Sequence, residues 1–203
     1  MEMLDVYTHD GLRTGKLVER GRRYRLGDDE YTMVIHAFIY HRDHGFLIQK
    51  RSATKRVLPG AWCMTMGVVQ AGEDSESGMR REVREELGLE IAEEQIRNCV
   101  RTYNGHKIVD IYLVYTDAEI EDMVLQKEEV DQVCWVSGRE LLSRFGGKNT
   151  RLHEEYVSCM QRYVHVTHKA EKRRRRRQNA KLAKQGDQLP VACDTDRDCD
   201  ARC

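Results

Sequence analysis

Glu73, Arg81, Glu82, Glu85 and Glu86 fall at fixed intervals in the run GVVQAGEDSESGMRREVREELGL, residues 67–89 of a 203-residue chain. On a helix, residues three and four apart share a face, so Glu82, Glu85 and Glu86 gather into one carboxylate patch. Val83 and Leu87 then turn to the opposite, apolar side. Three anions so close repel one another, and what makes the patch tolerable is a hard divalent cation, which takes oxygen ligands and keeps part of its hydration. The alternative is a solvated acidic face. It accounts less well for two glycines, four glutamates, an arginine and apolar residues in fixed register.

Such a patch needs a loop, a helix and a stop to present it. Asp74 or Ser75 can cap the helix start, and Gly88 supplies a left-handed C-terminal turn. Before this stretch come the cations Lys50, Arg51, Lys55 and Arg56. They are either ordinary surface charge or a cationic rim for a diphosphate, whose oxygens an arginine can grip two at a time. The functional reading is stronger for Arg51 and Lys55, then Lys50. Later, Glu128 and Glu129 stand in an acidic loop that reads as solvated.

The elements that position these groups follow from the pattern. MEMLDVYTHDGLRTGKLVERG opens with a strand-like segment and a His9-Asp10-Gly11 turn, which implies a small hairpin or arm over residues 1–30, packed on the domain. TMVIHAFIY and FLIQKRS form a hairpin across HRDHG; His36 is expected in the core, and His41 and His44 exposed at the tip. Trp62 anchors the strand leading into the glutamate stretch. At least two more strands follow in IAEEQIRNCVRTY and HKIVDIYLVYTDA, then a strand ending at Trp135 and Val136, and a helix capped by Ser137. Leu152, Tyr156, Val157, Met160 and Tyr163 have the spacing of an amphipathic helix.

The zero net charge hides a split: residues 1–166 carry 23 Lys+Arg against 28 Asp+Glu, and residues 167–203 carry 11 against 6. From about His168 the chain loses its large apolar residues, so a disordered basic tail is expected over 167–203. Its Arg173, Arg174, Arg175, Arg176 and Arg177 either contact a polyanion or are a solvated extension. Of seven cysteines, Cys63, Cys99, Cys134 and Cys159 read as buried thiols; Cys193, Cys199 and Cys203 lack the paired spacing of a zinc site. DTDRDCD imitates a calcium loop but has Cys199 where glycine is needed. No apolar run approaches the ~20 residues of a membrane span, and the N-terminus lacks a signal-peptide core. The expected location is cytoplasmic, or nuclear in a eukaryote. Oligomeric state is not set by these residues.

Residues 67–89 resemble the box that defines Nudix hydrolases, and the likeness extends over roughly residues 1–166, with 31–166 as the domain proper. LDVYTHDGLRTGK and FLIQKRSATKRVLPGAW are similar to the branch that includes isopentenyl diphosphate isomerase. The resemblance implies an α/β fold, an α/β/α sandwich with a mixed central sheet, dependence on Mg²⁺ or Mn²⁺, and hydrolysis of a nucleoside or other organic diphosphate. It implies metal binding by Glu82, Glu85 and Glu86 with the Gly67 carbonyl, orientation of these by Arg81 paired with Glu73, an extra loop carboxylate at Glu128 or Glu129 as metal ligand or base, and a base among the helix carboxylates or at Glu129. The isomerase likeness requires a cysteine directly before the box glycine and a histidine soon after. Met66, Val68 and Val69 stand there, and Cys63, three residues early, is expected on the other strand face. The remaining alternative is a non-catalytic binding module recruited through the basic tail.

Overall fold

The computed structural model describes residues 2–146 and 154–186, with side chains as far as residue 182. The chain divides into two compact units, Met1–His165 and Val166–Cys203.

In the first unit, β1 (Met3–Tyr7) and β2 (Arg13–Glu19) form an antiparallel hairpin across the His9-Asp10-Gly11 turn. Tyr7 bridges to Tyr31 at the edge of the main sheet. The axis of that sheet is β3 (Thr32–His41), whose run of β-branched and aromatic residues suits a strand buried on both faces. It pairs in parallel with β8 (Lys107–Thr116), from Thr32↔Lys107 to His41↔Thr116. β7 (Ile96–Asn104) adds antiparallel to β8, so the sheet is mixed, as expected.

β4 (Gly45–Arg51) meets β3 only at the hairpin end, at Tyr40↔Phe46 and His41↔Gly45. Beyond that point the two strands diverge. β5 (Trp62–Cys63) pairs with β4 through Gln49↔Cys63, and β6 (Thr65–Val68) pairs with β3 through Val34↔Val68 and Ile35↔Gly67. Residues 62–68 therefore fill the fork and bring Gln49, Thr65 and Gly67 together. β9 (Val130–Val136) covers the other edge of β4.

Two apolar layers close on the sheet, making the expected α/β/α sandwich. On one face Met79, Val83 and Leu87 of α1 (Ser75–Leu87) pack on Ile35, Ile39, Leu47 and Ile108. Burying each is worth about 1.5–3 kcal/mol. On the other, Leu141 of α2 (Gly138–Phe145) and Tyr156, Met160 and Tyr163 of α3 (Glu154–Gly186) pack on Phe38, Phe46, Ile48 and Ile111. Tyr163 OH donates to the Ile111 carbonyl at 2.7 Å, which keeps this buried phenol satisfied.

Three expectations need correction. Residues 167–186 are helical as the continuation of α3, where a disordered tail was expected; lysine, arginine, glutamine and alanine are good helix formers and need no core to favour that backbone. His41 is buried at 5% exposure, because the ring packs against Trp135 and His44. Cys99 is exposed and Cys134 half-buried, whereas Cys63 and Cys159 are buried. Leu152, Cys193, Cys199, Cys203 and the acidic run between them lie outside the described residues. No helix among the described residues is long and apolar enough to cross a membrane.

Candidate active site

α1 starts where the sequence requires. The Asp74 side chain accepts from the Ser77 amide at 2.7 Å, and Gly88 ends the helix at φ 70°, its amide bonded to the Arg84 carbonyl. Between these caps, Glu82 and Glu86 face the sheet and Glu85 faces out: Glu82 is 8% exposed and Glu86 4%, whereas the Glu85 side chain is 46% exposed.

Arg81 ties the patch together. Its Nε and Nη2 grip Glu73 bidentately at 2.7 and 3.0 Å, Nη1 reaches Glu82 at 2.9 Å and Glu85 at 3.1 Å, and Nη2 also donates to the Val68 carbonyl at 2.9 Å. Burial pushes the Glu73 carboxyl up, but Arg81 and the Gln70 amide more than reverse this and hold it below the usual range. One guanidinium thus fixes a loop carboxylate, a strand carbonyl and two helix carboxylates in one geometry.

Glu86 is held from the sheet side. Gln49 Nε2 donates to Glu86 Oε2 at 2.7 Å, and Thr65 Oγ1 donates to Gln49 Oε1 at 2.9 Å, so the amide's orientation is set. Burial pushes the Glu86 carboxyl up to about 7; the Gln49 bond opposes this, while Glu82 and Glu129 add repulsion. Burial likewise raises Glu82, with Arg81 opposing. Two buried carboxylates raised by burial ionise more readily beside a cation. Gly67 leaves room for them: a Cβ there would overlap the Glu82 side chain. The donor set is all oxygen, so Glu82, Glu85 and Glu86 fit a hard divalent ion.

Glu129 arrives from the segment between β8 and β9. That segment is laid along the end of α1 by bonds from the Val124 amide to the Leu87 carbonyl (3.0 Å) and from the Gln126 amide to the Glu86 carbonyl (3.1 Å). Glu129 is ion-paired with Lys55, and its charge acts on Glu86. Glu128 is exposed, and its carbonyl takes a long bond from Thr54. Lys55 is therefore engaged by a carboxylate and not set out as a free rim cation.

Beside Gly67 opens a cavity of about 350 Å³, lined by Val34, His36, Cys63, Met66, Trp62 and Tyr156 among others, with Arg20, Arg51 and Lys107 as its cations. That volume lies in the usual range for small-molecule sites. Arg51 is among the lining residues; Lys50, pairing with Trp62 and Gln132 in the sheet, is not. The half-buried His36 bonds Tyr156 OH through Nδ1 at 2.9 Å, and burial, with Lys107 adding repulsion, pushes it down to about 4. The strand breaks at Met64, between Cys63 and Met66, and both of these line the cavity. Its thiol is pushed up to about 11 by burial and stays protonated near neutrality.

The N-terminal hairpin braces the loop before α1. Asp5 Oδ2 accepts from the Gly72 amide at 2.8 Å and from Arg13 Nε at 2.9 Å, and Arg13 Nη2 donates to the Glu73 carbonyl at 2.6 Å. Sequence reasoning missed Asp5, Arg13, Gln49, Thr65, Arg20 and Lys107. Only Gln49 carried a signal, as a polar residue inside the apolar run FLIQKRS.

Comparison with known proteins identifies the family and the fold. The model of the NUDIX domain matches residues 30–160. An uncharacterized Nudix hydrolase of Listeria monocytogenes is 33% identical over 142 residues, 70% of this chain and 83% of the relative. The nucleoside triphosphatase NudI of Klebsiella pneumoniae is 33% identical over 118 residues, 53% of this chain and 83% of its own length. A crystal structure from Deinococcus radiodurans superimposes with a TM-score of 0.63 at 21% identity, over 79% of this chain and 98% of that one, a likeness of fold.

Proposed function

The chain belongs to the Nudix hydrolase family, and from that premise we propose that it splits the phosphoanhydride bond of a nucleoside or other organic diphosphate with Mg²⁺ or Mn²⁺. It is a hydrolase acting on phosphorus-containing anhydrides; the substrate, the metal and the residue roles are the proposal. What carries it is the pairing of an all-oxygen carboxylate patch, locked by Arg81, with a cavity beside Gly67 that has cations and aromatic walls.

Glu82, Glu85 and Glu86, with the Gly67 carbonyl, would hold the ion. When bound, a divalent cation screens the phosphate charge and acidifies a water. Arg81 and Glu73 keep the carboxylates in register. Gln49 orients Glu86 from the sheet. Glu85 is the solvent-open carboxylate of the three and is assigned as the base that takes the water's proton; Glu129, tied to Lys55, is the supporting carboxylate. Arg51, Arg20 and Lys107 draw the anionic part of the substrate to the cavity, and Trp62 and Tyr156 line the space for its organic group. A nucleoside fits this description, in keeping with the nucleoside triphosphatase among the relatives. Against isomerase chemistry stand Met66, Val68 and Val69 at the positions that branch requires.

A second reading adds a partner to the hydrolase. In the second unit, Arg173, Arg174, Arg177 and Lys181 line one concavity of α3 with Ala170 and Gln178, a basic surface suited to a polyanion. Two measurements test the two readings. Phosphate and pyrophosphate release from a panel of nucleoside di- and triphosphates and their conjugates should require Mg²⁺ or Mn²⁺; silence across the panel with either metal defeats the hydrolase assignment. RNA affinity should fall steeply with salt and vanish on deleting residues 167–203; salt-independent or undiminished affinity defeats the second reading.

A further inference from the structure

We infer that the tip of the β3–β4 hairpin and the start of the segment after β8 form a second cation site, in which His41, His44 and Glu119 bind a transition-metal ion of the zinc class. His41 is the last residue of β3, and His44 stands in the turn; their rings stack at 4.5 Å with 24° between planes, and both lie against Trp135. Glu119 faces them from the other strand connection. His44 Nε2 is 3.0 Å and His41 Nε2 3.8 Å from its carboxylate oxygens, and the three ligand atoms all lie within 4.8 Å of one another. In a tetrahedral zinc site, ligand atoms stand roughly 3.3 Å apart. The exposed His44 and Glu119 side chains can close the difference while buried His41 stays fixed.

The donor set separates this site from the first. Two imidazoles and one carboxylate suit zinc, nickel or copper, whereas Mg²⁺ prefers oxygen alone. The two sites are also far apart: Ile35 pairs with Gly67, and His41 lies six residues further along β3, about 20 Å at the rise of a strand. The Asp43 amide donates to His41 Nδ1 at 3.2 Å, which leaves the proton of the neutral ring on Nε2, toward Glu119. Coordination through Nε2 moves that proton to Nδ1 and releases the Asp43 amide, at the exposed turn, to water. The bond given up is long and weak.

The ion would act as a staple. Glu119 begins the segment that runs along the end of α1 and delivers Glu129 beside Lys55. A metal bridging it to β3 and the hairpin turn pins the start of that segment to the sheet.

Zinc titration of the full chain by calorimetry, with Mg²⁺ in excess to occupy the all-oxygen patch, tests this directly. Wild type should take up one more equivalent of zinc than His44→Ala or Glu119→Gln, and zinc should raise the melting temperature of wild type alone among these three. Glu85→Gln should keep the extra equivalent, and His44→Ala should keep magnesium-dependent turnover. Equal stoichiometry in wild type and His44→Ala overturns the site, as does loss of the equivalent in Glu85→Gln instead. Because the readout is zinc uptake, its failure leaves the hydrolase assignment untouched.

Discussion

Gln49 Nε2 donates to Glu86 Oε2 at 2.7 Å across the junction of sheet and helix, and this bond opposes the burial that lifts Glu86 to about 7. Gln49→Met removes the donor while roughly keeping the volume. The Glu86 carboxyl then rises further, so it stays protonated to higher pH and competes with metal binding. Metal activation curves should move to about 10–100-fold higher concentration near neutrality, with part of the loss recovered at alkaline pH. Unchanged curves contradict the role given to Gln49.

Gly67 is the residue on which Glu82 leans. A methyl group there overlaps the Glu82 side chain, so Gly67→Ala must displace either the carboxylate or β6. Displacement on the scale of 1 Å costs about 100-fold in a positioned site. The variant should fold, by circular dichroism, and lose about that factor in kcat. Full activity would mean that Glu82 is free to move without consequence.

The hairpin reaches the chemistry through Asp5, which holds both the Gly72 amide and Arg13. Asp5→Asn keeps the shape and removes the charge. Turnover should drop roughly 10-fold, the scale typical of outer supporting partners, with KM changed far less. A change in KM alone would place the hairpin in substrate binding instead.

His36 gives a stability signature. Its folded value of about 4 lies below the ordinary 6.5 of an exposed histidine. Between those values the unfolded chain binds more protons, so stability present above pH 6.5 is lost as the pH falls toward 4. Urea unfolding should show wild type losing about 1–3 kcal/mol more than His36→Gln over that range. Parallel losses in the two proteins would mean that His36 protonates freely in the folded state.

Much of this arrangement was readable in the chain. Spacing put Glu82, Glu85 and Glu86 on one helix between Asp74 and Gly88, because those rules are local. Apolar runs gave β3, β4, β7, β8 and β9. What spacing could not give was contact between distant segments: Gln49 meets Glu86 across 37 residues and Lys55 meets Glu129 across 74. The burial of His41 depends on Trp135, a strand edge away. The helical continuation past residue 167 is not legible in the chain, because low apolar content argues against a core and a helix of arginine and lysine needs none.

The most direct test is steady-state turnover of the best substrate with saturating Mg²⁺, in wild type, Glu85→Gln and Glu129→Gln. If Glu85 takes the proton of the attacking water beside a carboxylate-held ion, Glu85→Gln should lose about 10²–10⁴-fold in kcat, while Glu129→Gln loses far less and both keep substrate affinity. Glu85→Gln turning over at the wild-type rate would contradict the account at its centre.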